Sequence, residues 1–180
     1  MKSTDFPDIE NIQGKTYTSA KSFPIDVFQA VSKEKFVYNY CIGKGGFGKV
    51  WRVVRKKGKL LYAMKEMSKA RIMTKRSVRS VMNERQILIQ LHNVFIVNMY
   101  YAFQDRQNLY LVMDYLSGGD LRYHICRYRY FSEEITRFFV ACLIMGLEYI
   151  HEKNIIHRDI KPENLVLEED GKFKNPYKRV

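Results

Sequence analysis

The chain has 180 residues, of which 46% are hydrophobic, so a packed core is expected and a wholly disordered chain is excluded. Its 31 Lys and Arg residues outnumber its 19 Asp and Glu residues, which gives a formal net charge of +12. Such a basic balance raises nucleic acids, anionic membranes and phosphorylated ligands as partners. The excess is local, because residues 52–79 carry eleven basic side chains and one acidic one, or 11 − 1 = +10 of the total.

The cysteines and the apolar segments indicate the cellular compartment of the protein. Cys41, Cys126 and Cys142 are widely spaced and odd in number, which is typical of reduced thiols rather than of a disulfide framework or a metal site. The first residues contain no apolar segment of signal-peptide length. The most apolar stretch, residues 138–147, is far shorter than the roughly 18 to 20 residues that span a bilayer. We expect a cytoplasmic protein without a transmembrane segment.

Residues 1–34 mix polar residues and prolines without a sustained period, and we interpret them as a flexible N-terminal extension. In the next segment, residues 35–116, β-branched and aromatic runs are broken by glycine and polar turns. These runs predict strands over 36–42, 49–55, 60–66, 97–103 and 109–113. A helical period over residues 77–91 interrupts them. We therefore expect a five-stranded antiparallel sheet with one inserted helix.

Residues 117–174 have a helical texture after the glycine pair at 118–119. Ser132 is a suitable N-cap for a helix over residues 133–150, whose first turn is acidic, as the helix dipole favours. Between residues 138 and 147 this helix is apolar on nearly every side, which is typical of a helix that other elements bury. The fold class predicted for the whole chain is α+β.

A glycine-rich motif lies between the first two predicted strands. Gly43 to Gly48 fits G-x-G-x-x-G, a pattern that occurs in more than one class of nucleotide-binding protein. A dinucleotide-binding fold would begin a helix after the last glycine, whereas the β-rich run 49–54 follows here, so the loop caps a hairpin. Backbone N–H groups in such a loop can approach phosphate oxygens closely, and Val50 can cover a flat base. A glycine-rich hairpin without any ligand remains an alternative.

Lys65 ends an apolar run in the third predicted strand, and Glu84 follows on the predicted helix. A lysine that points toward phosphates needs an anion to hold its ammonium group, and an inward-facing glutamate supplies one. The alternatives are a lysine at the sheet edge and a solvated surface glutamate.

The run from His157 to Asn164 is the most specific signal in the chain. It reads His-Arg-Asp-Ile-Lys-Pro-Glu-Asn and directly follows the apolar pair Ile155 and Ile156. So many polar and charged side chains beside apolar residues are costly to desolvate, which indicates chemistry rather than packing.

In this order the motifs resemble the first part of a eukaryotic protein kinase, over residues 36–173. Lys161 is typical of serine/threonine rather than tyrosine kinases. The runs 62–65, 112–115 and 118–121 are similar to the AGC group, and the continuation to His124 is similar to its YANK-type members. The resemblance implies a kinase fold with a complete N-lobe and a partial C-lobe, and an ATP- and Mg²⁺-dependent transferase that phosphorylates Ser or Thr in a protein substrate.

The resemblance also implies roles for individual residues. The catalytic residues would be Asp159, which accepts the proton of the substrate hydroxyl, Lys161, which offsets charge on the transferred phosphoryl group, and Asn164, which holds one Mg²⁺. Lys65 would contact the α and β phosphates, Met113 would be the gatekeeper, and Asp120 would lie near the ribose. The residues expected around ATP are Ile42, Gly43, Lys44, Gly45, Gly46, Phe47, Gly48, Val50, Ala63, Lys65, Glu84, Met113, Asp114, Leu116, Asp120 and Val166.

The family pattern stops near the end of the chain. The Asp-Phe-Gly motif, whose aspartate binds Mg²⁺, does not follow, and residues 175–180 are unlike the family. We therefore interpret the sequence as a kinase shortened before that motif and expect negligible phosphate transfer from this polypeptide. The alternative is a nucleotide-binding pseudokinase or scaffold module without catalysis. A nucleic-acid partner is not expected, because few aromatic residues interleave with the basic residues of 52–79.

Overall fold

The computed structural model describes residues 31–167 and 173–174. Two predicted features lie wholly or largely outside these residues: the N-terminal extension 1–34 and the tail 175–180. The described chain divides into two compact units. Unit 1 comprises residues 31–81 and 100–112, and unit 2 comprises residues 82–99, 113–167 and 173–174.

Five strands form one sheet in the order β1-β2-β3-β5-β4, so the predicted five-stranded sheet is confirmed. Strands β1, β2 and β3 pair antiparallel, and three residues connect β4 to β5. The bounds are β1 Phe36–Lys44, β2 Gly48–Arg55, β3 Leu61–Ser68, β4 Met99–Gln104 and β5 Asn108–Asp114. A second, two-stranded sheet pairs β6 (Val166–Leu167) with β7 (Phe173–Lys174).

Within the described residues four α-helices accompany the strands: α1 Lys69–Thr74, α2 Val78–Gln90, α3 Leu121–Tyr128 and α4 Glu133–Glu152. The predicted helix over 77–91 corresponds to α2, and the predicted N-cap of α4 is confirmed, because Ser132 Oγ accepts from the Ile135 N–H at 3.3 Å. Helix α1 adds a second helix between β3 and β4 that the periodicity did not predict. It has only six residues, of which Ile72 alone is buried, so it is too short to produce a recognisable apolar stripe.

The two faces of the sheet carry different residues, because side chains alternate along a strand. On one face Val53, Tyr62 and Met64 pack into an aromatic-rich core whose other buried members are Phe36, Phe103, Tyr110 and Val112. Burial of each such side chain contributes about 1.5–3 kcal/mol to folding. Val50, Ala63 and Lys65 take the alternate positions of β2 and β3 and therefore belong to the other face.

Helix α4 is buried on one side only within the described residues of unit 2. Its buried residues are Cys142, Gly146 and Ile150, and Cys142 packs in a small cluster with Leu165 and Leu167. Elsewhere on its surface Phe138, Val140, Ile144 and Met145 are exposed. Because α4 is apolar on nearly every side and only one side is buried, part of its hydrophobic surface is exposed. None of the helices in the described part of the chain is long and apolar enough to span a bilayer.

Candidate active site

The glycine-rich hairpin joins β1 to β2 through a tight turn. The N–H of Gly45 donates to the Gly48 carbonyl at 2.9 Å, and the N–H of Gly48 donates back to the Gly45 carbonyl at 3.3 Å. Just before this turn Lys44 pairs with Lys49, so the hairpin is closed up to its tip. Backbone hydrogen bonds therefore close the turn that the sequence predicts to approach phosphates.

The glycines of this hairpin are needed for different reasons. A Cβ on Gly48 would lie 1.9 Å from the Glu66 carbonyl oxygen of the neighbouring strand, so only glycine fits there. A Cβ on Gly45 would meet nothing within 4 Å. Gly48 thus permits the close pairing of β2 with β3, a requirement of the sheet that the motif alone does not reveal, whereas Gly45 is open to a ligand.

Lys65 lies opposite Val50 in the register of β2 and β3. Ala63, two residues earlier on β3, shares their face of the sheet, since every second residue points the same way. The structure therefore brings three of the predicted ATP-contacting residues together on one face of unit 1. Glu84 lies on α2, in unit 2, and its predicted ion pair with Lys65 stays a prediction.

Met113 and Asp114 end β5, and Asn98 fixes Asp114 in place. The Asp114 N–H donates to the Asn98 carbonyl at 3.0 Å, and Asp114 Oδ2 accepts from the Asn98 N–H at 3.0 Å and from its Nδ2 at 3.1 Å. The Asn98 side chain is itself held, because its Oδ1 accepts from the Asn93 N–H at 2.9 Å. The Asp114 N–H and its Oδ2 are therefore both engaged by Asn98. Leu116 follows and is half-buried.

Asp120 and Val166, both predicted near the nucleotide, are brought together by backbone pairing. They form an isolated antiparallel bridge, and Leu121 N–H donates to the Leu165 carbonyl at 2.8 Å. Asp120 is also the N-cap of α3, where its Oδ1 accepts from the Tyr123 N–H at 2.7 Å. This capping role was missed by the sequence analysis, although an aspartate directly before a helical run is its usual signal.

The loop from His157 to Asn164 converges on Asp159. Lys161 Nζ donates to Asp159 Oδ1 at 2.8 Å, and Asn164 Nδ2 donates both to Asp159 Oδ2 and to the Asp159 carbonyl, each at 2.8 Å. His157 is 1% exposed, and its Nδ1 accepts from the Asp159 N–H at 3.3 Å. The three residues predicted to be catalytic thus form one hydrogen-bonded group.

Two further features show how this loop is held. Arg158 has a φ of +64°, in the left-handed region that non-glycine residues adopt only at some cost in energy. The Asn164 N–H donates to the Lys161 carbonyl at 2.8 Å and so closes a 3₁₀ turn over Pro162–Asn164. The strained backbone and the tight turn together aim Lys161 and Asn164 at one carboxylate.

The electrostatics of the loop favour an ionised aspartate. Hydrogen bonds from Lys161 and from Asn164 hold the pKa of the Asp159 carboxyl below its ordinary value. Asp159 is therefore a carboxylate at neutral pH, with its two oxygens bonded to Lys161 and Asn164.

The same loop fits a magnesium ion with one protein ligand. Both donor contacts of the Asn164 amide go to Asp159, which leaves Oδ1 as the side-chain atom for a cation. Mg²⁺ in phosphoryl-transfer sites is held by one or two protein oxygens together with substrate phosphates. Within residues 31–167 and 173–174 no group of three His, Cys, Asp or Glu side chains could hold a metal ion by itself.

The sequence analysis also missed an ion pair beside this loop. Arg122 Nε on α3 lies 2.9 Å from Glu163 Oε1, and both side chains are largely exposed. No spacing rule reveals a pair that is 41 residues apart in the sequence.

Comparison with known proteins gives the family. Residues 36–175 match the protein kinase domain model. Over 147 residues the chain is 43% identical to a probable serine/threonine-protein kinase of Dictyostelium discoideum, which covers 82% of this chain and 32% of that protein. It is 47% identical over 137 residues to serine/threonine-protein kinase sgk-1 of Caenorhabditis elegans, covering 76% of this chain and 30% of the relative. With serine/threonine-protein kinase 32C of Mus musculus it shares 40% identity over 153 residues, or 85% and 31% of the two chains.

The chain spans about a third of the length of these curated relatives. Within that span the match includes the sheet, the glycine-rich hairpin and the loop around Asp159. The chain therefore belongs to the protein kinase domain family, and the relatives it resembles are serine/threonine-protein kinases.

Proposed function

We propose that this protein is a serine/threonine protein kinase that transfers the γ-phosphoryl group of ATP to a Ser or Thr hydroxyl of a protein substrate. The observation that carries the proposal is the Asp159 carboxylate held between Lys161 and Asn164. Phosphoryl transfer needs positioning and charge stabilisation more than covalent chemistry, and this loop provides both. Its family membership and the names of its relatives support the same activity.

Unit 1 supplies the residues proposed for the nucleotide. Val50 and Ala63 present apolar surface to the adenine base, and Lys65 on the same face offers its ammonium group to the α and β phosphates. The backbone N–H groups of Gly46 and Phe47, at the tip of the hairpin, are suited to phosphate oxygens. The remaining residues of this proposed set are Ile42, Gly43, Lys44, Gly45 and Gly48.

Unit 2 supplies the residues proposed for chemistry. Asp159 accepts the proton of the attacking hydroxyl, and Lys161 offsets negative charge on the transferred phosphoryl group. Asn164 holds Mg²⁺ through its Oδ1, and the ion when bound neutralises charge on the phosphates. Met113, Asp114, Leu116, Asp120 and Val166 are proposed to contact the adenosine, and Glu84 to pair with Lys65.

We also propose a kinase group, boundaries for the two lobes and a cellular location. We assign the protein to the AGC group, close to its YANK-type members, on the runs 62–65, 112–115 and 118–124. Identities of 40–47% to sgk-1 and kinase 32C are consistent with that placement. We place the two lobes at residues 35–116 and 117–174, between the extension 1–34 and the tail 175–180, and the protein in the cytoplasm, where its three free cysteines would stay reduced.

One observation favours a second candidate function, nucleotide binding without catalysis. Val50, Ala63 and Lys65 share one face of the sheet in unit 1, whereas Asp159 belongs to unit 2. The residues proposed to bind ATP can therefore act without the residues proposed for phosphoryl transfer. The 180-residue polypeptide by itself would then act as a nucleotide-dependent binding module.

Two measurements on the 180-residue chain separate these candidates. ATP binding is titrated with and without Mg²⁺, and turnover is measured with labelled ATP and a basic Ser/Thr peptide. Phosphotransfer that Asp159→Asn abolishes supports the kinase. ATP binding that Lys65→Met weakens at least tenfold, with no turnover above the Asp159→Asn background, supports the binding module.

The matched control for Lys65→Met is Lys57→Met, which removes an exposed lysine from the β2–β3 turn of the same unit. It should leave the ATP affinity unchanged. If Lys65→Met binds ATP as tightly as the parent chain, the role proposed for Lys65 in nucleotide binding is wrong, and absence of turnover above the Asp159→Asn background then counts against the kinase as well.

A further inference from the structure

One lysine of the basic segment 52–79 reaches the tip of the glycine-rich hairpin. Lys75 directly follows helix α1, and its Nζ donates to the Gly46 carbonyl at 3.1 Å. The same ammonium group lies 5.5 Å from the centre of the Phe47 ring, within the range of a cation–π interaction. Lys75 and the hairpin both belong to unit 1. Nothing in the glycine motif predicts this contact, which spans 29 positions of the sequence.

Gly46 leaves room for this contact. A Cβ there would lie 3.1 Å from Lys75 Nζ, tighter than nine in ten real Cβ contacts, so the flexible end of the lysine would have to shift by a few tenths of an ångström. Gly46 therefore leaves space for the lysine as well as for a ligand.

The backbone around Lys75 is well anchored, so its side chain starts from a fixed point. The Lys75 N–H donates to the Arg71 carbonyl at 3.1 Å, and the Ser77 hydroxyl donates to the Lys75 carbonyl at 3.0 Å. The Ser77 N–H also donates to the carbonyl of Ile72, which is fully buried. The base of the lysine is thus tied to the core of unit 1.

A second bond holds the hairpin from the start of the same helix. The N–H of Ser68, the N-cap of α1, donates to the Phe47 carbonyl at 3.0 Å. The carbonyls of Gly46 and Phe47 are both taken up by groups at the two ends of α1. The helix that the sequence analysis did not predict is therefore the support of the hairpin tip.

We propose that Lys75 is a positioning residue that tethers the tip of the glycine-rich hairpin and holds its N–H groups ready for the phosphates of a nucleoside triphosphate. The inference rests on the proposed function, since it assumes that the hairpin binds the triphosphate. A glycine-rich turn has many conformations when free, and a tether that orders it beforehand reduces the entropy lost on binding.

The test uses Lys75→Met in the full chain, because methionine keeps much of the apolar stem and removes the charge and the hydrogen-bond donors. Hydrogen exchange of the Gly46, Phe47 and Gly48 amides is measured without nucleotide, and ATP affinity is measured by titration. We expect exchange of these amides to rise about tenfold and ATP affinity to fall about three- to tenfold, the size of one lost hydrogen bond. Lys75→Arg, which keeps a donor and the cation–π contact, should restore both.

Lys57→Met serves as the control for a lost surface charge, and Trp51 fluorescence shows that each variant keeps its fold. Unchanged exchange in Lys75→Met overturns the tether. Raised exchange with unchanged ATP affinity overturns the positioning role and leaves the proposed ATP binding intact. If the parent chain binds no ATP, the proposed function and the positioning role both fail, and the exchange data still show whether the tether exists.

Discussion

The glycine-rich hairpin and the loop around Asp159 are held in place by different groups. The hairpin turn is closed by backbone hydrogen bonds between Gly45 and Gly48, and its outer surface at Gly45 is open. The Asp159 loop is held by side chains, with both carboxylate oxygens bonded and a buried histidine behind them. Backbone amides suit phosphate oxygens on any nucleotide, whereas a proton acceptor has to be one side chain in one orientation.

This difference predicts how each region tolerates change. In the hairpin, most positions present only main chain, so substitutions matter where a Cβ meets another backbone. In the loop, each side chain of the Asp159 group has its own partner, so every substitution removes a contact. Single substitutions in the two regions can therefore break or sharpen this contrast.

The largest effect is expected from Gly48→Ala. Because the new Cβ would lie 1.9 Å from the Glu66 carbonyl oxygen, β2 and β3 would have to move apart. We expect the free energy of unfolding to fall by about 3 kcal/mol, at the upper end for overpacked sites. Urea unfolding followed by the fluorescence of Trp51, which lies on β2, measures it directly. Gly45→Ala is the matched control and should change stability by less than about 0.5 kcal/mol; equal losses in the two variants would contradict the assignment of Gly48 to the sheet.

Asn164→Ala should have the next largest effect. Asn164 is 1% exposed and its side chain makes two hydrogen bonds to Asp159, so its removal takes a donor from two partly buried oxygens and leaves a cavity at a buried position. We expect a loss of about 2 kcal/mol in the free energy of unfolding. Calorimetry measures the loss, and Glu163→Ala, an exposed neighbour in the same turn, is the control. A cost no greater than that of Glu163→Ala would show that the Asp159 group is not held by its side chains.

A smaller and pH-dependent effect is expected from Lys161→Met. Because the hydrogen bond from Lys161 is the main cause of the lowered pKa of Asp159, its removal should raise that pKa toward the ordinary value. The carboxylate form is the stabilised one, so the contribution of Lys161 is present above the unfolded pKa and is lost as pH falls through the lower folded pKa. Carbon-13 NMR titration of the Asp159 carboxyl follows the shift. The control is Lys153→Met, which changes a lysine at the C-cap of α4 in unit 2 and should leave the titration of Asp159 unchanged. An unchanged titration in Lys161→Met would show that the contact is not formed in solution.

The smallest effect is expected from Arg122→Ala. Its ion pair with Glu163 is exposed, with side-chain exposures of 55% and 41%, so screening by water leaves little net energy. Thermal unfolding should give the same midpoint as the parent chain within error, at both low and high salt. A drop comparable to that of Asn164→Ala would mean that exposed pairs help to hold the loop.

Local patterns in the sequence predicted the sheet and the helices with clear periods. Strands β1 to β5 and helices α2 and α4 agree with the predictions to within about two residues, because alternation and a 3.6-residue period are properties of the chain itself. The cap of α4 at Ser132 is equally local. Helix α1 was not predicted, since six residues with one buried side chain leave no period to detect.

The sequence predicted which residues belong to the candidate site, but it did not predict the contacts that these residues make. The sequence identified Asp159, Lys161 and Asn164 as a set because their spacing is short and unusual. It did not reveal that Asn98 engages Asp114, or that Lys75 bonds to Gly46, because these partners lie 16 and 29 positions apart. The glycine motif suggested that Gly48 serves phosphate binding. The structure shows that Gly48 also permits the close pairing of β2 with β3.

By itself the amino-acid sequence determined which segments become strands and helices and which residues carry the chemistry, since both depend on near neighbours along the chain. Which side chain holds which loop is a property of the folded protein. These contacts depend on strand register and on pairing between residues far apart in the sequence. One example is the 2.8 Å hydrogen bond from the Leu121 N–H to the Leu165 carbonyl, which lies next to the bridge between Asp120 and Val166.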